Sequence, residues 1–215
     1  MQKQIETRLR IVDALAELMQ IPVVTTLMGK GAFPASHELN LGPVGMHGSK
    51  YANLAMTESD LIIAAGARFS DRVTGKLDEF APHADVIHID IDPAEIGKVR
   101  EVQIPIVGDL KGVLGGIVAQ LSKEGASPET AAWVAQIAEW RRRHPFYHPN
   151  VGDAPEEIVP EVVMEKLSDA LDPEKSIVVT EVGQHQMWAA QHIARERPRS
   201  FISSGGLGTM GFGFP

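Results

Sequence analysis

The stretch LIIAAGARFSDR, residues 61–72, decides the fold class of this chain. Its first five residues are apolar, and a polar loop with two arginines follows at once. The stretch VIHIDIDP, residues 86–93, repeats the pattern with a β-branched run that ends in acidic residues. Continuous apolar runs of this length are typical of parallel strands buried on both faces, and ligands bind where such strands end. The two stretches therefore predict a nucleotide-type pocket at the carboxyl edge of a parallel sheet.

Predicted helices and strands alternate along the first half of the chain. Apolar residues at helical spacing mark the helices, and short β-branched runs mark the strands. The predicted order is helix 5–20, strand 23–26, helix 49–59, strand 61–65, strand 86–90, a short helical turn at 93–96, strand 104–107 and helix 109–122. This alternation predicts an α/β fold with a doubly wound parallel sheet.

A second α/β unit is predicted after a linker. Trp133, Ile137 and Trp140 fall at helical spacing inside residues 123–157, which otherwise have the composition of a linker. The elements predicted beyond the linker are helix 160–171, strand 176–180, a helix after residue 183 and strand 201–203. The glycine-rich run SSGGLGTMGFGFP, residues 203–215, follows the last strand.

The composition excludes several functions. The 215 residues carry a net charge of −8 and contain no cysteine, which excludes disulfides, thiolate nucleophiles and zinc–thiolate sites. No Lys/Arg-rich run is present, so a nucleic-acid partner is not expected. No apolar run approaches the length of a membrane span and no apolar signal region begins the sequence, so we expect a cytoplasmic protein without a membrane partner.

The loop after the first of the two decisive strands is the strongest candidate site. Gly66 allows a backbone to approach a ligand closely, and the guanidinium groups of Arg68 and Arg72 can bind phosphate or carboxylate. The alternative is that both arginines are solvated surface charges, one of them paired with Asp71.

Acidic residues follow the second decisive strand. Asp90 can accept hydrogen bonds from ribosyl hydroxyls; alternatively, Asp90 and Asp92 cap a helix that begins near Pro93. At residues 184–186 a strand-to-helix turn could bind phosphate, or its polar side chains could simply be surface residues.

Three weaker signals complete the candidates. GLGTMG, residues 206–211, matches a dinucleotide fingerprint, but it is better interpreted as a glycine-paved loop that a flat ring can approach. His144 and His148 lack a third ligand and belong to a Pro-rich linker, so no metal site is predicted. Met28 and Met210 stand in glycine-flanked loops and are candidates for the site, whereas other methionines fill the core.

Several long strings together resemble the acetolactate synthase large (catalytic) subunit family. They are VVTTLMGKG (23–31), GMHG (45–48), GARFSDRVTG (66–75), HIDIDPAEI (88–96), GQHQMW (183–188) and the closing glycine run. The resemblance covers nearly the whole chain and is weakest in residues 1–10 and 111–157. Strings of this length in the same order are far more specific than any single motif.

The resemblance implies a thiamine-diphosphate flavoprotein built from three α/β domains. Residues 1–122 would form most of the Rossmann-like, FAD-binding middle domain without its first strand. Residues 123–157 would be a linker with a helix, and residues 158–215 the truncated start of the thiamine-diphosphate domain. The implied enzyme is a transferase that decarboxylates pyruvate and condenses the two-carbon unit with pyruvate or 2-oxobutanoate, in branched-chain amino-acid biosynthesis.

The resemblance also implies roles for individual residues. Arg72 would bind the carboxylate of the second 2-keto acid, Met28 would contact substrate or flavin, and Met210 would hold the thiamine cofactor in its bent shape. The remaining cofactor-binding residues would be Gly29, Gly45, Met46, His47, Gly66, Ala67, Arg68, Asp71, Val73, Asp90, Ile91, Glu95, Gly108, Asp109, Val182, Gly183, Gln184, His185 and Gly208.

Parts of the implied enzyme are not encoded in residues 1–215. The domain with the activating glutamate and the segment that binds Mg²⁺ both fall outside, so we expect the 215-residue chain alone to be inactive. The family also implies a homo-oligomer and a possible small regulatory subunit. Two alternatives stay open: another thiamine-diphosphate carboligase or decarboxylase, and a non-catalytic nucleotide-binding module.

Overall fold

A computed structural model describes the backbone of residues 2–146 and 158–213, with side chains from residue 11 onward. The helices are α1 (Gln2–Met19), α2 (Lys50–Thr57), α3 (Asp71–Thr74), α4 (Leu110–Glu124), α5 (Ala131–Arg143), α6 (Pro160–Ala170) and α7 (Gln184–His192). The strands are β1 (Val23–Thr25), β2 (Asn40–Pro43), β3 (Leu61–Ala65), β4 (Asp85–Asp90), β5 (Ile104–Val107), β6 (Val178–Thr180) and β7 (Phe201–Ser203).

All described strands pair in parallel, which confirms the predicted α/β class. They form three sheets with the orders β1-β2, β3-β4-β5 and β6-β7. Among the described residues, only β4 has a partner strand on both sides. The division of the chain into domains stays a prediction.

Apolar clusters pack against both faces of the three-stranded sheet, as its apolar runs predict, but Leu61 of β3 and Ile104 and Val107 of β5 are exposed. Ile62 and Val86 face a cluster that contains Phe69 and Phe80. On the opposite face, Ile89 packs with residues of α1 and α4. Burying one large apolar side chain is worth about 1.5–3 kcal/mol, so this layered packing fixes the position of the strand ends.

The loop after β1 joins the first part of the chain to the last. Leu27 packs against the cluster of Ile193 and Phe201. The backbone N–H of Ala35 donates to the carbonyl of Arg195 at 3.1 Å. These contacts tie the end of β1 to β7 and α7. In the described part of the chain, no helix is both long and apolar enough to cross a membrane.

The structure corrects the sequence predictions at four places. Residues 93–96 form hydrogen-bonded turns instead of a helical turn, and β6 begins at Val178 and not at residue 176. β2 was not predicted, because the sequence Asn-Leu-Gly-Pro contains no β-branched residue. α3 was not predicted either, because four residues are too few to show helical spacing. His148 lies outside the described residues.

Candidate functional site

The carboxyl ends of β3, β4 and β5 lie side by side. The N–H of Gly66 donates to the carbonyl of Ile89 at 2.8 Å, and the N–H of Gly108 donates to the carbonyl of Asp90 at 2.9 Å. These bonds extend the strand pairing by one residue into each loop. The structure therefore places the predicted loops, residues 66–68, 90–92 and 108–109, along one edge of one sheet.

The arginine loop is held in shape by a buried phenylalanine. Phe69 has a φ of 52°, which is rare for a bulky residue and stores strain that the surroundings must offset. Its ring packs edge-on against Phe80 and His88, with centroids 6.2 and 5.2 Å away. The anchored ring leaves Arg68, Asp71 and other neighbours at the surface.

Arg72 pairs with the loop after β2 rather than with an acid. The N–H of Met46 donates to the carbonyl of Arg72 at 2.9 Å, and Arg72 Nη1 lies 3.6 Å from Met46 Sδ. In the described residues neither Arg68 nor Arg72 forms an ion pair with Asp71, so the predicted alternative is wrong in that respect. Val73 follows within α3.

The acidic residues at the sheet edge make local turn contacts. Asp90 Oδ1 accepts from the N–H of Asp92, and Asp92 Oδ1 accepts from the N–H of Ala94, both at 2.9 Å. The capping alternative therefore holds for turns and not for a helix. Asp109 caps α4, and Glu95 pairs with Lys98 at 2.8 Å. A role for these carboxylates in binding hydroxyls stays a prediction; Ile91 beside them is exposed.

Gly45 packs directly against α3. Its φ is 95°, and a Cβ there would lie 2.3 Å from the carbonyl oxygen of Arg72. Only glycine fits both constraints. Two residues after Gly45, the carbonyl of His47 accepts a hydrogen bond from Gln191 Nε2 at 2.8 Å. The loop with Gly45, Met46 and His47 thus lies between α3 and α7.

The predicted thiamine residues gather at the ends of β6 and β7. Gly208, with a φ of 66°, would place a Cβ 3.6 Å from Val182. Gly183, with a φ of 145°, is the N-cap residue of α7. Gln184 and His185 form the first turn of that helix.

Gln186 belongs to the turn at residues 184–186, for which the sequence left phosphate binding and a surface position open. It is buried, and its Nε2 donates to Ser203 Oγ at 2.6 Å and to the Ser204 carbonyl at 2.8 Å. Ser203 Oγ also lies 2.8 Å from Thr180 Oγ1. This network fixes the start of the glycine run against α7.

Met28 and Gly205 bring the two halves of the site together. A Cβ on Gly205 would lie 2.4 Å from Met28 Sδ. Met28 is 64% exposed, and Met210, five residues after Gly205 in the glycine run, is 76% exposed. Gly29 follows Met28 in a short 3₁₀ turn. Sequence reasoning missed Gly205, since nothing in the glycine run distinguishes it from its neighbours.

Some predicted site residues are not brought together. No hydrogen bond or ion pair connects Arg68 or Asp90 with residues 182–210 within the ranges the structure describes. The same ranges hold no group of three or more acidic or histidine side chains that could bind a metal ion.

We expect Gly205→Ala to move Met28 at little cost in stability. The added methyl group overlaps Met28 Sδ, and a thioether can rotate away, so the free energy of unfolding should change by less than about 1 kcal/mol. The methyl resonance of Met28, assigned with Met28→Leu, should shift. Gly116→Ala, where a Cβ meets nothing within 4 Å, is the control and should leave that resonance in place. An unchanged Met28 resonance in Gly205→Ala would contradict the contact.

Comparison with known proteins identifies the family. The profile described as thiamine pyrophosphate enzyme, central domain, matches residues 6–117. This chain belongs to the thiamine pyrophosphate enzymes. The profile of the C-terminal thiamine-pyrophosphate-binding domain of the same enzymes matches residues 181–215.

The similar proteins of this family are acetolactate synthases. The chain is 55% identical over 201 residues to the acetolactate synthase large subunit of Parasynechococcus marenigrum, covering 94% of this chain and 32% of that protein. It is 54% identical over 203 residues to the acetolactate synthase of Mycobacterium bovis, covering 94% and 32%. It is 48% identical over 208 residues to the large subunit of Cyanidium caldarium, covering 95% and 34%. The chain thus spans about a third of the length of these relatives. The predicted resemblance is confirmed.

Proposed function

We propose that this chain forms part of the catalytic subunit of an acetolactate synthase. The proposed reaction decarboxylates pyruvate and joins the two-carbon unit to pyruvate or 2-oxobutanoate, a step of branched-chain amino-acid biosynthesis. The observation that carries the proposal is the contact between Met28 and Gly205. It joins the loop proposed to contact substrate to the glycine run proposed to hold the thiamine cofactor.

FAD is proposed to bind at the carboxyl ends of β3, β4 and β5. Two residues support this site. Gly66 has a φ of 65°, and a Cβ there would meet only Leu110 Cδ1, so the backbone is open to a ligand. Arg68, two residues further on, is exposed. The Arg68 guanidinium would bind pyrophosphate, and the partly buried Asp90 would accept from ribityl or ribosyl hydroxyls. The flavin is proposed to be structural, because the net reaction transfers no electrons.

Thiamine diphosphate is proposed to bind at the ends of β6 and β7. The group supplies an electron sink that permits loss of CO₂ from a 2-keto acid. Val182 and Gly208 lie close together, since a Cβ at Gly208 would be 3.6 Å from Val182 Cγ2, and both would line the same side of its site. The N-terminus of α7 at Gly183–His185 favours negative charge, and Met210 would support the cofactor from the glycine run. Mg²⁺, a homo-oligomer, a regulatory subunit and a cytoplasmic location stay predictions from the resemblance.

The reaction can be tested in a hybrid protein. Residues 11–213 of this chain would replace the matching segment of the Parasynechococcus marenigrum large subunit, which is 55% identical to it. We expect the purified hybrid to form acetolactate from pyruvate with added thiamine diphosphate, Mg²⁺ and FAD. The unmodified relative is the positive control, and a hybrid with Met210→Ala is the control for dependence on this chain.

The products separate the alternatives. Release of acetaldehyde without acetolactate would favour a decarboxylase, and a different condensation product would favour another carboligase. A folded hybrid that binds FAD but consumes no pyruvate would contradict the proposal and favour the nucleotide-binding module.

We expect Arg68→Met to weaken FAD binding to the chain by at least about tenfold. A hydrogen bond to a charged phosphate is worth about 1.5–3 kcal/mol. The exposed Arg68 side chain forms no ion pair in the described structure, so it does not have to break one in order to bind FAD. Quenching of flavin fluorescence measures the dissociation constant. Lys123→Met, which also removes an exposed cation that has no ion pair in the described structure, is the matched control and should bind FAD like the unmodified chain. Equal affinities for all three would exclude Arg68 from the FAD site.

A further inference from the structure

The side chain of Asn53 binds Gly45 at both of its backbone polar groups. Asn53 Oδ1 accepts from the N–H of Gly45 at 2.8 Å, and Asn53 Nδ2 donates to the carbonyl of Gly45 at 2.9 Å. A carboxamide carries both a donor and an acceptor, so it can form this pair, whereas a carboxylate lacks the donor. Because two bonds run between the same two residues, they fix the orientation of Gly45 as well as its position.

Asn53 is carried by a well-anchored helix. It lies in α2, which is capped where Ser49 Oγ accepts from the N–H of Ala52 at 3.1 Å. Tyr51 and Ala52 are buried in a cluster with Ile137 of α5. Asparagine is a weak helix former, so its contacts with the loop after β2, and not helix propensity, explain its place in α2. A side chain on a packed helix positions its partner more precisely than a side chain on a loop.

Gly45 and the residue after it transmit this position to Arg72. Gly45 packs so closely against the backbone of Arg72 and Val73 that a Cβ would overlap it. Met46 contacts Arg72 twice, since its N–H donates to the Arg72 carbonyl at 2.9 Å and its Sδ lies 3.6 Å from Nη1. The position of the Arg72 guanidinium therefore depends on Asn53, through Gly45 and Met46.

The far side of the same loop is tied to α7. The carbonyl of His47 accepts from Gln191 Nε2 of that helix at 2.8 Å. The N-terminus of α7 is proposed to bind the thiamine cofactor. The loop that Asn53 fixes thus connects Arg72 with the helix that carries the cofactor residues.

We propose that Asn53 is a positioning residue for the second 2-keto acid, because it fixes the loop that holds Arg72. The inference rests on the proposed function, from which it takes the binding of the keto-acid carboxylate by Arg72. That binding requires the planar guanidinium to meet the carboxylate through two parallel bonds. A misplacement of about 1 Å, caused by a residue remote from the chemistry, can cost about 100-fold in rate. The carboxamide of Asn53 is engaged with Gly45, so Asn53 acts through the loop and not by contact with the keto acid.

The link from Asn53 to Arg72 is tested on the unmodified 215-residue chain, without turnover. Asn53→Leu keeps the approximate size of the side chain and removes both bonds to Gly45, so the Met46 methyl and Arg72 Nε–H resonances should shift. Asn53→Asp loses only the donor and should also shift them, which keeps the test valid if the leucine variant does not fold. Ser59→Ala removes a side-chain hydrogen bond beyond the other end of α2 and is the control, with both resonances unchanged. Unchanged resonances in a folded Asn53 variant would overturn the proposal.

The hybrid synthase tests the consequence for the substrate. Asn53→Leu should lower kcat/KM for the second keto acid about tenfold, because Arg72 is displaced and not removed. Loss of CO₂ from the first pyruvate, followed with ferricyanide as an alternative acceptor, should stay within about twofold. Equal loss of both activities would mean that Asn53 only supports the fold, and undiminished acetolactate formation would also overturn the proposal.

A double-mutant cycle tests whether Asn53 acts through Arg72. In the Arg72→Met hybrid, Asn53→Leu should change kcat/KM for the second keto acid by less than about twofold, since no guanidinium is left to position. The same tenfold loss in both backgrounds would show that the two residues act independently and would overturn the proposal. A hybrid that is inactive before either substitution contradicts the proposed function, whereas the resonances of the chain still decide whether Asn53 positions Arg72.

Discussion

Gly45→Ala is expected to lower the free energy of unfolding by about 3 kcal/mol or more. A φ of 95° is strained for alanine, and its Cβ would lie 2.3 Å from the Arg72 carbonyl oxygen and 2.7 Å from Val73 Cα. Both clashing atoms belong to the backbone, so α3 must move away as a unit. Backbone strain alone costs about 1–3 kcal/mol, and the steric overlap adds to it.

Gly75→Ala isolates the steric part of that cost. Gly75 also has a positive φ, 58°, but a Cβ there would meet nothing within 4 Å. Both substitutions restrict the unfolded chain equally, so this contribution cancels when the two variants are compared. Gly75 has a φ of 58° and a ψ of −128°, a strained conformation for alanine, so we expect Gly75→Ala to cost about 1–3 kcal/mol. Urea unfolding of each purified chain measures the difference, and equal losses for the two variants would show that Gly45 does not pack against α3 as described.

The strands could be predicted because their signal is local. The run at residues 61–65 became β3 with the predicted bounds, since a strand buried on both faces must be apolar at every position. β2 was not predicted, because Asn40 and Gly42 are poor strand formers that are held in place by tertiary contacts. Asn40 Nδ2 donates to the Pro34 carbonyl at 2.7 Å, a contact that no local pattern predicts.

The site was predictable by position but not by contact. Gly66 and Asp90 could be assigned to one sheet edge, because parallel strands end on the same side. The pairing of Met46 with Arg72, and of Met28 with Gly205, joins segments far apart in sequence. Only the packing of α3 and the glycine run fixes those contacts. For Gln186 the sequence left a phosphate-binding turn and a surface position open, because its burial depends on where β7 ends.

The second large effect is expected at Arg72, whose contacts leave its guanidinium available for an anionic ligand. Its carbonyl accepts a hydrogen bond from the N–H of Met46 at 2.9 Å, and among the described residues its exposed guanidinium donates a hydrogen bond only to Met46 Sδ and forms no ion pair. A planar fork of donors without a carboxylate partner can bind the carboxylate of a keto acid through two parallel bonds. The side chain is thus positioned at its base and unpaired at its tip.

In the hybrid synthase, Arg72→Met is expected to reduce kcat/KM for the second keto acid about 100-fold to 1,000-fold. Two charged hydrogen bonds at about 1.5–3 kcal/mol each are lost, and part of that loss is offset by water. Arg72→Lys keeps the charge without the fork and should recover only part of the activity. Loss of CO₂ from the first pyruvate, followed with ferricyanide as an alternative acceptor, should persist in both variants, because Arg72 is proposed to act on the second substrate. Equal loss of both activities would instead mean that Arg72 supports the fold of the site, and undiminished acetolactate formation would exclude it from substrate binding.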